Sequence, residues 1–409
     1  MASDSPTVCS AALFVSGASL GAGLLALPIQ TGLAGLIPAL SGLIFIWGLM
    51  FISGLILAET FVCNGQSSTG LFSLYEQGLG RWSRWLVTPG FLLVFYGILV
   101  AYLSAGATVL ASLLHLPQDE LPLLLLFFLL SSATVLVGLR FVHRANGVFM
   151  LLLIGSFAAM LVLVGTKMES KNLVYQDWKF LPSALPIIVC SFAYQNVIPS
   201  ICTSLNNDRG RIQQALLFGT LLSLLVNGLW IIVVIGVLPL ADGTGSLLTA
   251  FQQNQPATVP LARNLHSEDI RFCGLLFSMA ALYTSYVAVG EGLRNFLADL
   301  LDTQGKQSRD WLVGGLTFIP PLAVTLIYPQ LFLQMLNLVG GLGVVLLFGL
   351  LPALVFFRQV RKQKQPVRQV VALLLCVIFT ALILLECGQE LGLLQIHPQV
   401  EYWHGRLHP

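Results

Sequence analysis

The sequence predicts an all-α polytopic membrane protein of eleven transmembrane helices, the first and sixth of them broken, and three observations predict it. Of its 409 residues 56% are hydrophobic and only 9% charged, with mean hydropathy +0.85, where a soluble domain carries roughly a quarter charged residues. The apolar residues gather into eleven runs separated by polar or charged loops, each of about the 20 residues that cross a hydrocarbon core. Two of these runs are interrupted near their middles by residues that break helices. No large polar block is left for a soluble catalytic domain, so residues 1–409 read as a single transmembrane unit.

Taken in order, the first span covers 10–31, and no basic leader or cleavage pattern precedes it, so it is expected to remain in the mature chain. Its centre, "FVSGASLGAGLLALPIQ", sets Ser16, Gly17, Ala18, Ser19, Gly21 and Gly23 at mid-membrane. The second span (36–62) ends near Glu59, which reads as a structural partner at the cytoplasmic end. The third (85–114) carries Tyr96 and Tyr102, and the fourth (121–139) and fifth (145–166) are uninterrupted. The sixth (182–202) is broken by "SFAYQN", that is Ser191, Phe192, Ala193, Tyr194, Gln195 and Asn196, with Pro199 closing it. After an unbroken seventh (212–240), the eighth (271–298) holds Tyr283, Thr284, Ser285, Tyr286 and Glu291. The ninth (310–328) contains Pro320 and Pro321, expected to kink it, and the tenth (331–357) contains Gly340, Gly341 and Gly343, expected to allow close packing or gating. The eleventh covers 368–389 and includes Glu386, in a helix not expected to take part in coupling.

Basic residues fix the orientation, because they are retained on the cytoplasmic side of short loops. With the N-terminus inside, 14 of the 20 lysines and arginines lie on inner loops and 6 on outer ones, which sets the N-terminus in the cytoplasm and the C-terminus in the periplasm. The net charge of +2 is spread along loop edges, giving no face for nucleic acid. No obligatory protein partner is indicated. The seven cysteines show no metal-binding or redox spacing and are expected to be mostly small buried apolar residues.

A broken helix in hydrocarbon leaves amides and carbonyls unpaired at several kcal/mol each, so irregular backbone persists only where it lines a cavity inside the protein. Freed amides can hold a carboxylate, freed carbonyls an ammonium group or a cation. A Gly/Ala/Ser cluster by itself also suits close helix packing. The polar "SFAYQN" in the equivalent place five spans later favours a carrier with paired broken helices.

With these residues in hand, the chain resembles the hydroxy and aromatic amino acid permease family. The matching pieces are "GASLGAGLLALP", "LAETF", "AYLSAGATVLAS", "SFAYQNVIPSI", "LYTSYVAVGEGLRNFLADLL" and "LTFIPPLAVTLIYP", in family order over nearly the whole chain. The resemblance implies five plus five helices in inverted repeats, over about 10–166 and 182–357, plus one extra helix. It also implies import of an aromatic amino acid across the bacterial inner membrane with protons. Carried over by position, Ser16 to Gly23 form the substrate loop of the first helix and Ser191 to Asn196 that of the sixth. Two departures are Met150, where the family pattern places a lysine in span five, and Glu291, where span eight is usually apolar.

An ionisable side chain at membrane depth is a functional candidate by default, and Glu291 leads for proton coupling, its helix neighbours at three- and four-residue steps being Ala288 and Thr284, a small-polar face. The structural alternative is an ion pair with Arg294. Sodium is the rival ion: Thr284 and Ser285 offer hydroxyls and the first break offers carbonyls, although such hydroxyls also satisfy themselves on the preceding turn. No resident cofactor is expected. An aromatic substrate needs an apolar slot with a few polar points, for which Phe192, Tyr194, Tyr96, Tyr102, Tyr283 and Tyr286 are candidates. Gln195 or Asn196 would meet a tyrosine hydroxyl and discriminate against phenylalanine; tryptophan stays open, as does a serine/threonine-type or sodium-coupled permease of the same fold. A membrane enzyme would need convergent acids, histidines or metal ligands at membrane depth, and the sequence offers none. A channel is disfavoured by two unlike broken helices in one chain.

Overall fold

The computed structural model describes residues 7–394 apart from 22, 65–69, 115–119, 138, 242, 244 and 302–309, and only the backbone at 64, 113, 114, 120, 137, 310 and over 139–151, which includes Met150. The first span is two helices, α1 (Val8–Ser19) and α2 (Gly23–Gly32), bent by 58°. Then follow α3 (Leu36–Asn64), a short amphipathic α4 (Leu71–Leu79), α5 (Arg84–Leu114), α6 (Glu120–Val137), α7 (Leu139–Gly165) and the short α8 (Ser170–Val174). The sixth span divides into α9 (Leu181–Cys190) and α10 (Ile198–Ser204). Beyond α11 (Arg209–Val237), the loop helices α12 (Leu247–Gln252) and α13 (Thr258–Leu265) lead to α14 (Glu268–Leu300) and α15 (Asp310–Ile327). The tenth span runs through α16 (Phe332–Leu338), a π-helical segment Val339–Leu350 and α17 (Leu351–Lys362), and α18 (Pro366–Glu390) is the last helix.

Among the described residues, seven helices are long and apolar enough to cross a membrane, eight with the bent α1–α2 pair. The other predicted spans hold shorter apolar helices, Leu121–Leu136, Leu152–Gly165 and Trp311–Ile327. The chain is thus a multi-pass, all-helical membrane protein. Its outward faces carry leucine and valine, such as Leu129, Leu130, Leu225 and Val377, each more than half exposed, as a lipid-facing surface requires. In α18 only 28% of the apolar window is buried, which marks it as peripheral.

Local chemistry sets the ends. The Thr7 hydroxyl accepts from the Ser10 amide (3.2 Å) and the Asp208 carboxylate from the Arg211 amide (3.1 Å), capping α1 and α11. Between α2 and α3, Gly35 adopts φ +88°, and a Cβ there would lie 2.2 Å from the Tyr175 carbonyl oxygen, so only glycine fits.

The tenth span is the densest contact. Gly340 lies against the Pro186 carbonyl of α9, Gly341 against Glu386 of α18, and Gly343 against Val94 of α5. Close packing is therefore the use of these glycines. π-Helical turns are rare and concentrate at functional sites; here the Tyr75 and Ser53 hydroxyls donate to the carbonyls of Leu347 and Phe348. Burial pushes the Tyr75 phenol above its ordinary range, so it stays a donor.

One sequence expectation needs correction. Of the seven cysteines, all free, only Cys202 is fully buried, and Cys9 and Cys63 are exposed. Cys9 is in the first turn of α1, and Cys63, in the last turn of α3, accepts from the Arg209 guanidinium of α11 at 3.1 Å.

Candidate functional site

The two breaks meet. A methyl group built on Gly23 would lie 2.7 Å from the Ser191 Oγ and 3.1 Å from its Cα, so the head of α2 presses directly on the end of α9. Two residues earlier, a methyl on Gly21 would lie 3.2 Å from the Tyr102 hydroxyl of α5 and 3.4 Å from the Ser285 Oγ of α14. The predicted residues Gly21, Gly23, Tyr102, Ser191 and Ser285, from four separate spans, thus surround one point.

The two breaks differ in how they pair their backbone. In span six the carbonyls of Ile187, Val189, Cys190 and Phe192 accept from the amides of Ser191, Phe192, Ala193 and Tyr194, at 3.0 to 3.3 Å. The Ser191 hydroxyl donates to Ile187 as well, at 2.9 Å. In span one, Ser16 accepts from the Leu20 amide and the Ser19 hydroxyl. The carbonyls of Gly17, Ala18 and Ser19 accept from no amide among the described residues. Because α2 starts afresh at Gly23, the Gly23 amide finds no acceptor among the described residues, while Leu24 donates to the Gly21 carbonyl at 3.1 Å. Span one therefore presents both free carbonyls and free amides, the pair of groups that a zwitterionic amino acid needs.

Serine hydroxyls line one side. Ser19 and Ser223 share a hydrogen bond at 2.6 Å, and Ser223 reaches Ser16 at 3.4 Å. One turn further along α11 is Asn227, 1% exposed, whose amide oxygen and nitrogen have no partner among the described residues. Sequence reading passed over Asn227, although an asparagine in "SLLVNGLW" was a visible signal. Such a buried, unmatched amide costs free energy unless a ligand or water meets it.

Other predicted residues turn elsewhere. Tyr194 is fully buried and donates to the Met50 carbonyl at 3.2 Å, fitting over Gly54 of α3, and the Gln195 Nε2 donates to the same carbonyl at 3.3 Å. Gln195 keeps an unmatched Oε1. Asn196 is exposed, Phe192 is buried and Ala193 half-buried. Tyr283 and Tyr286 pair with Thr134 (2.7 Å) and Ser132 (2.8 Å) of α6, and Tyr96 donates to Leu316 of α15 at 2.7 Å. Of the tyrosines considered, only Tyr102 stands at the break.

For the ion, the Thr284 hydroxyl is bonded to Ala280 on its own preceding turn at 2.8 Å, whereas Ser285 faces Gly21. Glu291 is half-buried, and among the described residues no ion pair joins it to Arg294. It lies beside Ala288 and Asn295, both exposed, on the stripe of α14 below Ser285. The neighbouring helix α1 lies along α11. The opposite end is covered: all ten residues of α2 are buried, and the Ala257 amide at the head of α13 donates to the Leu25 carbonyl at 2.9 Å. Glu59 pairs with Arg368 at 3.0 Å, the structural role expected of it.

The sequence profile of the tryptophan/tyrosine permease family matches residues 4–389. Among curated relatives, the chain is 29% identical to "Tyrosine-specific transport system 1" of Haemophilus influenzae, over 80% of this chain and 82% of that one. It is 26% identical to "Low affinity tryptophan permease" of Proteus vulgaris, over 80% and 81%. Among solved structures, the crystal structure of MhsT in complex with L-phenylalanine superposes with TM-score 0.63 at 16% identity, over 94% of this chain and 98% of that one, which establishes a shared fold.

Proposed function

The chain belongs to the tryptophan/tyrosine permease family, whose members are transporters and not enzymes, and from that premise we propose that it imports an aromatic amino acid, tyrosine before tryptophan, by proton symport. The membrane is the bacterial inner membrane, with the N-terminus cytoplasmic and the C-terminus periplasmic, on the strength of the basic-residue asymmetry. The observation that carries this reading is the convergence of Gly21, Gly23, Tyr102, Ser191 and Ser285 where span one frees its backbone. The substrate carboxylate meets the amides at the head of α2, and its ammonium group meets the carbonyls of Gly17 to Ser19. Its ring enters the apolar space beside Tyr102 and Phe192, with the open amides of Asn227 and Gln195 as candidates to meet a ring hydroxyl.

The mechanism is alternating access: substrate and ion stabilise the closed arrangement, and movement of the broken spans against spans three and eight opens the site to one side at a time. In the present arrangement the α2 side is covered and the α14 stripe at Ala288 and Asn295 is open, which corresponds to a site facing the cytoplasm. Glu291, on that open stripe, is our candidate for the proton. Sodium is a second reading, favoured by the Ser285 hydroxyl beside the carbonyls of the first break.

The test is uptake of labelled tyrosine into proteoliposomes under an imposed proton gradient and, separately, a sodium gradient, with tryptophan, phenylalanine and serine as competitors. Proton-driven accumulation, blocked by the aromatic competitors and lost in Glu291→Gln, supports the reading. Accumulation on sodium alone transfers coupling to Ser285, and inhibition by serine alone overturns the aromatic substrate.

A further inference from the structure

Glu386, in the peripheral last helix, is 2% exposed, on the one face of α18 that is buried, with Leu375, Phe379 and Leu382. Its side chain packs on Gly341, where a Cβ would lie 2.6 Å from its Cγ and 2.8 Å from its carboxyl carbon. Gly341 is in the π-helical segment, and the adjacent Gly340 rests on the Pro186 carbonyl of α9, the first half of the broken sixth span. A single layer of backbone therefore separates this carboxyl from the half-helix that ends at the site.

Among the described residues no positive charge compensates it. The π-helical segment and α16 contain no titratable residue, and α9 contains only Cys190. Within α18 the titratable groups are Arg368, Cys376, Cys387 and Glu390, and Arg368 is engaged by Glu59 about 27 Å away by helical rise. In α17, Arg358, Arg361 and Lys362 occupy the same far end as Arg368. Glu390, one turn on, adds a like charge. Among the described residues Glu386 has no hydrogen-bond partner, and the Nε2 of the buried Gln389 beside it is also unmatched. A carboxylate buried without counter-charge or donors is costly to keep, so ionising this group calls for water at the α18 to span-ten contact.

We propose that Glu386 is a proton-binding site of the transport cycle, whose protonation clamps the π-helical segment of span ten onto α9 and so favours the arrangement in which the α2 side of the site is closed. The proton comes from bulk water as the contact closes and returns to it as the contact opens, so no other group changes its protonation. This rests on the transport reading above, and Glu386 acts as a positioning residue through Gly341 and Gly340.

The test has one arm that needs no transport. Thermal unfolding of the purified full-length protein is followed in detergent from pH 5.5 to 8.5, in wild type and Glu386→Gln. The wild type should lose melting temperature relative to the variant as pH rises, by about 2 °C or more over the range; superimposable profiles overturn the proposal. In the second arm, exchange of labelled for unlabelled tyrosine is measured in proteoliposomes against pH. Glu386→Gln should keep exchange and flatten its pH profile, and Glu386→Asp should restore the slope. An unchanged profile in Glu386→Gln counts against the site. If Glu386→Gln cannot be purified, Gly341→Ala, which pushes the carboxyl out of its pocket, should diminish the wild-type pH response of melting, and an undiminished response refutes the clamp. Absence of saturable exchange in the wild type itself refutes the transport reading and leaves the melting arm intact.

Discussion

Substituting alanine for Gly23 asks whether the two breaks touch. The new methyl would sit 2.7 Å from the Ser191 Oγ, 3.1 Å from its Cα and 3.3 Å from its Cβ, and carbon contacts are comfortable only near 3.5 to 4.0 Å. The Oγ can rotate away, at the loss of its bond to Ile187 (2.9 Å), worth about 0.5 to 1.5 kcal/mol. The Cα cannot, because the carbonyls and amides of the sixth-span break are committed to its own tight turns. Overpacking of this kind costs about 1 to 3 kcal/mol, and a value near 2 kcal/mol lowers a binding constant roughly thirtyfold. Removing the hydroxyl with Ser191→Ala relieves the shortest contact and leaves the 3.1 Å one, so the double variant should recover about half of the loss, a coupling readable in a double-mutant cycle. The assay is the concentration dependence of tyrosine exchange in proteoliposomes, with thermal unfolding as a check on folding. Wild-type affinity and stability in Gly23→Ala, or strict additivity with Ser191→Ala, would refute the contact on which the site is built.

Other substitutions bear on separate parts of the reading. Gly340→Ala puts a methyl 2.0 Å from the Pro186 carbonyl oxygen; with backbone on both sides the cost should reach the ~3 kcal/mol top of the overpacking range, seen as lost yield or a lowered melting temperature. Tyr194→Phe removes the bond to Met50 and should cost about 1 kcal/mol of stability while leaving the order of competing substrates unchanged. Thr284→Ala should alter uptake by less than about twofold, since its hydroxyl serves only its own turn, whereas Ser285→Ala should change uptake or its ion dependence by roughly tenfold. Cysteines placed at Ala288 and Asn295 in a background lacking the native cysteines should react with a polar thiol reagent in the absence of substrate, and protection by saturating tyrosine would show that the stripe closes.

Much of the plan was legible in the sequence because hydrophobic run length and helix-breaking clusters are local properties. The first break was visible as Ser16 to Gly23 and the sixth as "SFAYQN". Which side chains turn inward was not legible. Helical phase puts Tyr283 and Tyr286 on faces of α14 but does not say that α6 supplies Thr134 and Ser132 to meet them. Nor does it say that Gly54 of α3 leaves a hollow for the Tyr194 ring. The contact of Gly23 with Ser191 joins residues far apart in the chain, and no pattern within either segment encodes it. The π-helical turns lie in "VGGLGVVLLFGL", whose apolar composition is the same whether the turns are α or π. The packing of Glu386 was hidden for a related reason: nothing in the sequence says which span an extra helix lies on, and its glutamate is against Gly341.

The unequal pairing of the two breaks has a dynamic consequence. Span six pairs the amides of Ser191 to Tyr194 at its bend, while span one leaves groups at its bend for another molecule to take up. Substrate would then do for span one what the tight turns already do for span six. Amide hydrogen exchange should show this directly: slow at 191–194 whether or not substrate is present, fast at Gly21 and Gly23 in the empty protein and slowed on binding. The energy of recognition would thereby be spent on stiffening one limb of a two-limbed hinge, the limb that lies along α11.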